Sequence, residues 1–153
     1  MKLADYNGHL ITLCLMATGT FAIGTDAFIV AGVLSDISDT FAVSPAQAGQ
    51  LISVFALAYM LFAPLTAWLL GNVNRKHILQ LALVLFIAGN LACAWATSYL
   101  QIAFGRVLAA LGAACYTPQA AAAAVGLVAE KRRGLAISIV YGGMTLAIAL
   151  GIP

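Results

Sequence analysis

The chain has 153 residues, of which 63% are hydrophobic and 8% are charged, whereas a soluble domain has about 25% charged residues. This composition excludes a water-soluble globular domain, because too few charged side chains are available to cover its surface. The formal net charge of +2 is too small, and its basic residues too dispersed, for a nucleic-acid-binding surface. The composition therefore predicts a protein whose surroundings are the lipid bilayer.

Five stretches of the sequence are nearly free of charge, and each has the roughly 20 residues that a helix needs to cross a bilayer. The backbone must be helical in these stretches, because lipid offers no hydrogen-bond partners. We therefore predict an all-α membrane protein, a polytopic bundle in which short loops make neighbouring helices antiparallel. Residues 1–153 form one transmembrane unit in this prediction, with spans at residues 10–34, 46–70, 78–96, 100–128 and 134–153.

The basic residues between the spans predict their orientation. Lys2 precedes the first span. Arg75 and Lys76 lie between the second and third spans, and residues 131–133 lie between the fourth and fifth. The two intervening loops contain no basic residue. By the positive-inside rule, the N-terminus and both basic loops are cytoplasmic.

The cysteines and histidines do not form a pattern typical of a metal, cofactor or catalytic site. Cys14, Cys93 and Cys115 all lie in apolar runs and lack metal-ligand spacing. His9 and His77 lie outside the predicted spans, and the sequence has no HExxH motif or Ser-His-Asp candidates. The sequence thus predicts no cofactor and no metal, and it disfavours a membrane enzyme.

Asp26 and Arg106 are the only charged residues within the predicted spans. Each costs about 2.5 to 3.5 kcal/mol at the centre of a membrane helix, so something must offset that cost. With a rise of 1.5 Å per residue, Asp26 lies about 12 Å and Arg106 about 9 Å below the outer ends of their spans. We expect the two charges to face one another across a polar cavity in the outer half of the membrane.

Two interpretations of this pair remain open. The pair can be a fixed contact that holds the first span to the fourth. Alternatively, Asp26 can bind and release a proton, because burial favours its neutral form whereas a nearby guanidinium favours its charged form. Arg106 is not the titrating group, since a guanidinium stays charged in proteins.

Small residues and prolines in the spans predict close packing and helix distortion. The fourth span contains many small residues, among them Gly105 and Gly112, which let helix backbones approach closely in lipid. Pro64 and Pro118 each remove a helix hydrogen bond, so each should kink or end its helix.

Motifs in the first and fourth spans resemble those of a known family. Residues 24–34 read GTDAFIVAGVL, with Asp26 directly after Gly-Thr. Arg106 is followed by a small-residue track through Gly112 and then by Pro118. Both segments resemble motifs of the major facilitator superfamily, and they are most similar to those of bacterial twelve-helix drug:proton antiporters of the arabinose-efflux and chloramphenicol-resistance type.

Two further segments extend this resemblance over nearly the whole chain. Gly143, Gly151 and Pro153 resemble the glycine face and proline bend of the family's antiporter motif in helix 5, and the sequence stops inside that motif. Arg75 and Lys76 match the basic pair of the family's loop motif between helices 2 and 3. The glycine and the acidic residue of that loop motif are replaced here.

The resemblance implies a fold of two six-helix halves, each made of inverted three-helix repeats, with substrate bound between the halves. This chain would supply helices 1 to 5 of twelve, truncated in helix 5. It would need the missing C-terminal half, or oligomerisation, to form a pathway. Its first and fourth spans would line the substrate cavity. Four further residues could add polar or aromatic contacts there, or could instead be packing or interfacial residues: Tyr59, Tyr116, Gln119 and Tyr141.

The resemblance also implies a function in the cell inner membrane. The chain would be the N-terminal part of a proton-coupled efflux transporter, exchanging protons for a small amphipathic or drug-like molecule. Asp26 would carry the proton and Arg106 would tune its binding. The alternatives are a non-transporting membrane fragment or interaction partner, and a small oligomeric exporter.

Overall fold

The structure is a computed structural model that describes residues 3–71 and 73–151, with the side chains of residues 9–71 and 73–150. Lys2 and Pro153, which enter the predictions of orientation and of the helix 5 motif, lie outside the described residues.

The described residues form six α-helices and one 3-10 turn, with no strand among them. Five of the helices are long and apolar enough to cross a membrane, which confirms the predicted fold class. The sixth is a short helix between the first two spans. In chain order the helices are α1 (Leu3–Gly32), α2 (Leu34–Phe41), α3 (Pro45–Leu69), α4 (Arg75–Ala94), α5 (Tyr99–Leu127) and α6 (Arg133–Gly151), with the 3-10 turn at Glu130–Arg132.

The short helix α2 lies in a segment that the sequence analysis assigned to a loop. Leu34, Ile37 and Phe41 fall on one face at helical spacing and pack against a buried cluster that contains Val30 and Leu51. The helix ends at Ala42, which has a left-handed conformation with φ of 51°. The prediction of a loop was wrong because it rested on charge-free stretches long enough to span a bilayer, whereas this eight-residue segment contains Asp36 and Asp39.

Local capping residues explain where the spanning helices begin. The Ser44 hydroxyl accepts a hydrogen bond from the Gln47 backbone amide, and the Gln47 side chain accepts one from the Ser44 amide. This reciprocal pair satisfies two amides that the first helical turn leaves free. Asn74 and Ser98 cap α4 and α5 more simply, each side chain accepting from one backbone amide of the first turn.

α4 and α5 pack antiparallel with their backbones in direct contact. A β-carbon added at Gly112 would lie 2.7 Å from the Ala82 carbonyl oxygen, and one at Gly105 would lie 2.9 Å from the Gly89 carbonyl oxygen. Such distances leave no room for a side chain, so the glycines permit the close approach. The small residues of the fourth span therefore pack as predicted.

α1 and α6 form a second close pair, and these two helices run parallel. The Thr20 hydroxyl donates a hydrogen bond to the Val140 carbonyl oxygen. A β-carbon at Gly143 would overlap the Ala17 carbonyl, and one at Gly24 would lie 2.8 Å from the Ala147 β-carbon. The helix directions in both close pairs agree with a chain that crosses the membrane alternately.

Neither internal proline ends its helix: α3 continues through Pro64 and α5 through Pro118. Pro118 has no amide hydrogen to donate to the carbonyl four residues earlier, which belongs to Ala114. The Thr66 hydroxyl of α3 donates to that carbonyl oxygen at 3.2 Å. A side chain of the neighbouring helix therefore replaces the hydrogen bond that the proline removes.

Candidate functional site

Asp26 and Arg106 are in direct contact where α1 crosses the central helix α5. The Arg106 Nη1 atom donates to Asp26 Oδ2 at 2.9 Å and to the Asp26 backbone oxygen at 3.3 Å. The residues are only 7% and 3% exposed. Asp26 lies six residues before the end of α1 and Arg106 seven residues after the start of α5, which places the two residues at a common depth because these helices are antiparallel.

The expected polar cavity between the two charges is absent, because the side chains touch. That expectation was wrong for a physical reason: two buried opposite charges stabilise each other best in direct contact. A bonded pair also lowers the cost of placing each charge in a membrane helix.

The rest of the Arg106 guanidinium is covered by an aromatic ring. The Phe55 ring, on α3, has its centroid 4.3 Å from Arg106 Cζ, within the range of a cation–π interaction. The Nε and Nη2 atoms of Arg106 are buried and have no hydrogen-bond partner among the described residues. Among those residues, hydrogen bonds from Arg106 thus reach Asp26 alone.

A cavity of about 330 Å³ lies beside this pair, between α1, α3 and α6. We call it the α1–α3–α6 cavity. Its walls include Phe28 of α1, Phe55 and Tyr59 of α3, and Met144 of α6. Tyr59 is the only polar side chain among its lining residues, and its ring stacks on Phe55 at 6.4 Å between centroids. The cavity is therefore apolar, with three aromatic rings among its eight lining residues.

The four residues suggested for a substrate cavity occupy different places. Tyr59 lines the α1–α3–α6 cavity. Tyr116 is buried between α5 and α1, where its hydroxyl donates to the Met16 carbonyl at 3.2 Å. Gln119 is buried on α5 without a hydrogen-bond partner among the described residues, and Tyr141 is 39% exposed on α6. Of the four, the structure brings only Tyr59 to this cavity.

The other motif residues lie away from the charged pair. Arg75 and Lys76 are exposed at the start of α4. Gly112 and Gly143 lie at the two close helix crossings described above, and Gly151 is the last residue of α6. Pro118 lies inside α5.

Phe55 is the residue of this site that the sequence analysis did not single out. In the sequence it is one apolar residue in a long apolar span, and that context gives no sign of its contact with a cation. The spacing of Phe55 and Tyr59, four residues apart on one helix face, was the available signal.

The described residues contain no group of three or more His, Cys, Asp or Glu side chains that could hold a metal ion. What the charged pair can do chemically is bind a proton at Asp26. Protonation would remove the negative charge that Arg106 pairs with, and a buried charge without its partner is costly. Proton binding at Asp26 would therefore favour a different arrangement of α1 and α5.

Most of the chain is similar in sequence to known proteins. The family model of the Major Facilitator Superfamily matches residues 16–153. The uncharacterized MFS-type transporter YbcL of Bacillus subtilis is 32% identical over 91% of this chain and 36% of its own length. The chloramphenicol resistance protein of Streptomyces lividans is 33% identical over 94% of this chain and 36% of its own length. The chain therefore spans about a third of these relatives.

Two further comparisons concern the membrane and the fold. The inner membrane transport protein YdhP of Escherichia coli is 32% identical over 92% of this chain and 36% of its own length. A crystal structure of a bacterial homolog of the human lysosomal transporter Spinster, inward-facing and unoccupied, matches with a TM-score of 0.79 and 30% identity. That match covers 96% of this chain and 30% of the other.

Proposed function

This chain belongs to the major facilitator superfamily, and we propose that it forms the N-terminal part of a proton-coupled efflux transporter for a small amphipathic or drug-like molecule. The buried contact between Asp26 and Arg106 is the observation that carries this proposal. A carboxylate is rare inside a membrane helix, and one that is paired with a fixed cation beside a cavity is suited to proton transfer.

In the proposed mechanism, Asp26 is the proton carrier and Arg106 holds it in the unprotonated state. When a proton binds to the carboxylate, the 2.9 Å hydrogen bond from Arg106 loses the negative charge of its acceptor and becomes weaker. The weaker bond from Arg106 to the Asp26 backbone oxygen does not depend on that proton. The proton thus biases an equilibrium between two arrangements of the helices, and that bias drives alternating access.

The apolar α1–α3–α6 cavity supports an amphipathic substrate. Its aromatic wall suits an apolar or planar group, and the Tyr59 hydroxyl offers one polar contact. The similarity to a chloramphenicol resistance protein agrees with a drug-like molecule. Because this chain supplies one side of the pathway in the proposal, a C-terminal half or a second copy completes it.

We further propose that the protein resides in the cell inner membrane with a cytoplasmic N-terminus. The exposed Arg75 and Lys76 lie at the same end of the bundle as the basic residues 131–133 in the proposed topology. This clustering follows the positive-inside rule. Similarity to an inner membrane transport protein agrees with this location.

Transport by the Asp26→Asn variant tests the proposal. The complete gene product is first expressed in a drug-sensitive strain, and growth is measured with a panel that includes chloramphenicol. A drug against which it protects is then used in proteoliposomes, with efflux driven by a pH gradient. Asparagine keeps a carbonyl oxygen for Arg106 but binds no proton, so we expect gradient-driven efflux to fall at least about tenfold, as for loss of an essential proton carrier.

The matched control is Asp39→Asn, which makes the same chemical change at an exposed carboxylate of α2. It should retain efflux. Unchanged gradient-driven efflux in Asp26→Asn, or no protection against any drug of the panel, contradicts the proposal. A variant that no longer folds supports the fixed structural contact instead.

A further inference from the structure

Phe55 contacts both the charged pair and the cavity. Its ring covers the Arg106 guanidinium at 4.3 Å, and the same ring forms part of the wall of the α1–α3–α6 cavity. Among the described residues, no other aromatic ring covers this guanidinium. A group that enters the cavity therefore touches the ring that positions Arg106.

Arg106 makes few hydrogen bonds, so its orientation depends on the Phe55 ring. Only Nη1 donates hydrogen bonds, and both go to Asp26. Nε and Nη2 have no acceptor among the described residues, so no other hydrogen bond fixes the plane of the guanidinium. The Phe55 ring, which lies over Arg106 Cζ, is instead its contact on this side. A shift of the ring changes the angle at which Nη1 meets the Asp26 carboxylate, and hydrogen bonds weaken steeply with angle.

We propose that Phe55 is a positioning residue that links occupancy of the α1–α3–α6 cavity to proton binding at Asp26, and that an uncharged aromatic group of the substrate is what occupies the cavity. This inference rests on the proposed function. It adds the physical connection between substrate and proton, because two ligands that bind at different places are coupled when both of them bias the same structural change.

The aromatic and uncharged character of the ligand follows from the walls. Phe28, Phe55 and Tyr59 present rings to the cavity, and none of its lining residues carries a formal charge. A cationic group in the cavity would be repelled by Arg106, because the Phe55 ring lies between the cavity and that charge and is the only separation. An anionic group would compete with the Asp26 carboxylate only after displacing that ring. A neutral aromatic group fits without either conflict.

Arg106 is the charged partner of Asp26, and among the described residues the other titratable groups near this pair are a thiol and two phenols. Arg106 faces it from α5, and the Cys93 thiol of α4 lies near enough to interact electrostatically with both. α3 contributes the Tyr59 phenol, which lines the neighbouring cavity, and α6 contributes the Tyr141 phenol. A change in the position of Arg106 is therefore the change that Asp26 senses most strongly.

The experiment fills the cavity without requiring a known substrate. Ile52, an exposed lining residue of the cavity, is replaced by cysteine in the complete gene product. Cys14 is exposed, so it is replaced by alanine in the same protein. Benzyl methanethiosulfonate then attaches an aromatic group, and methyl methanethiosulfonate is the matched reagent without a ring. Protein without Ile52→Cys reports any labelling of Cys93 and Cys115.

The readout is the infrared C=O band of protonated Asp26, titrated with pH and identified by its loss in Asp26→Asn. With Phe55 present, the benzyl label should shift the midpoint by about half a pH unit or more, which is about a threefold change in proton affinity. The methyl label should not. Phe55→Leu should abolish the shift, and Phe55→Met serves if the leucine variant does not fold. Phe55→Tyr keeps the ring and should retain the shift.

Phe62→Leu is the control on the same helix, since Phe62 does not line the cavity. It should retain the shift. A shift that persists in Phe55→Leu, as transmission through the α1 backbone at Ala27 would produce, overturns the inference. The inference is also overturned if the benzyl label does not shift the titration midpoint in the protein that retains Phe55. If no titrating band disappears in Asp26→Asn, the proposed function itself fails, so the two failures are distinguishable.

Discussion

The central helix α5 contacts α4 and α1 in opposite ways. Against α4 it packs backbone to backbone through Gly105 and Gly112, with no space for an added β-carbon. Near α1 it presents a buried arginine, and a cavity of about 330 Å³ lies beside that contact. Close packing resists displacement, because many small contacts must break together. We therefore expect α4 and α5 to move as a unit, and in the proposed function the contact with α1 is the one that responds to a proton or a ligand.

The largest effect on stability should come from leaving one charge of the pair without its partner. Asp26→Ala removes the carboxylate and buries the Arg106 charge alone, which should lower the free energy of unfolding by about 3 to 5 kcal/mol. The double variant Asp26→Ala with Arg106→Leu removes both charges and should recover most of that loss. Chemical denaturation in detergent measures both. A double variant less stable than the single one would show that the pair is not the source of the effect.

The next largest effect on stability should be a difference between alanine substitutions at two glycines of α5. Gly112→Ala places a methyl group against the backbone of α4, which should cost about 1 to 3 kcal/mol. Gly126→Ala meets no heavy atom within 4 Å and should be neutral or slightly stabilising. Thermal unfolding of the purified variants provides the comparison. Equal destabilisation at both positions would contradict the account of close packing between α4 and α5.

The smallest effect should come from the hydroxyl that compensates for Pro118. Thr66→Val keeps the shape of the side chain but leaves the Ala114 carbonyl without its donor, at a cost of about 0.6 to 1.5 kcal/mol. Thr145→Val, at an exposed site whose hydroxyl bonds only to its own helix, is the control. Placing Thr66→Val in a Pro118→Ala protein should remove the cost, because the backbone at position 118 would then have an amide hydrogen to donate to that carbonyl. A cost that persists there would exclude this role for Thr66.

The sequence was most informative where composition and regular helix geometry decide the outcome. Charge-free stretches of sufficient length predicted five spanning helices, and the fixed rise per residue predicted a common depth for Asp26 and Arg106. Depth does not reveal which side chains touch, because that depends on how each helix is rotated in the bundle. The sequence therefore predicted a polar cavity where the structure has direct contact.

The faces of the helices could not be predicted from hydrophobic periodicity. In a membrane both the lipid-facing and the buried surfaces are apolar, so the pattern that marks a buried face in a soluble helix is weak. Tyr116 is buried against α1 while Tyr141 is 39% exposed, although both are tyrosines in apolar spans. Phe55 went unnoticed for the same reason. Its role depends on a contact with Arg106, which is 51 positions away in the sequence.

In the proposed function, Asp26 carries the proton that is exchanged for substrate. Proton release on substrate binding tests it most directly, measured with a pH indicator on weakly buffered, purified complete gene product and a drug against which it protects cells. We expect wild-type protein and Asp39→Asn to release protons when the drug binds, and Asp26→Asn to bind the drug without releasing any. Equal proton release by Asp26→Asn would contradict the account.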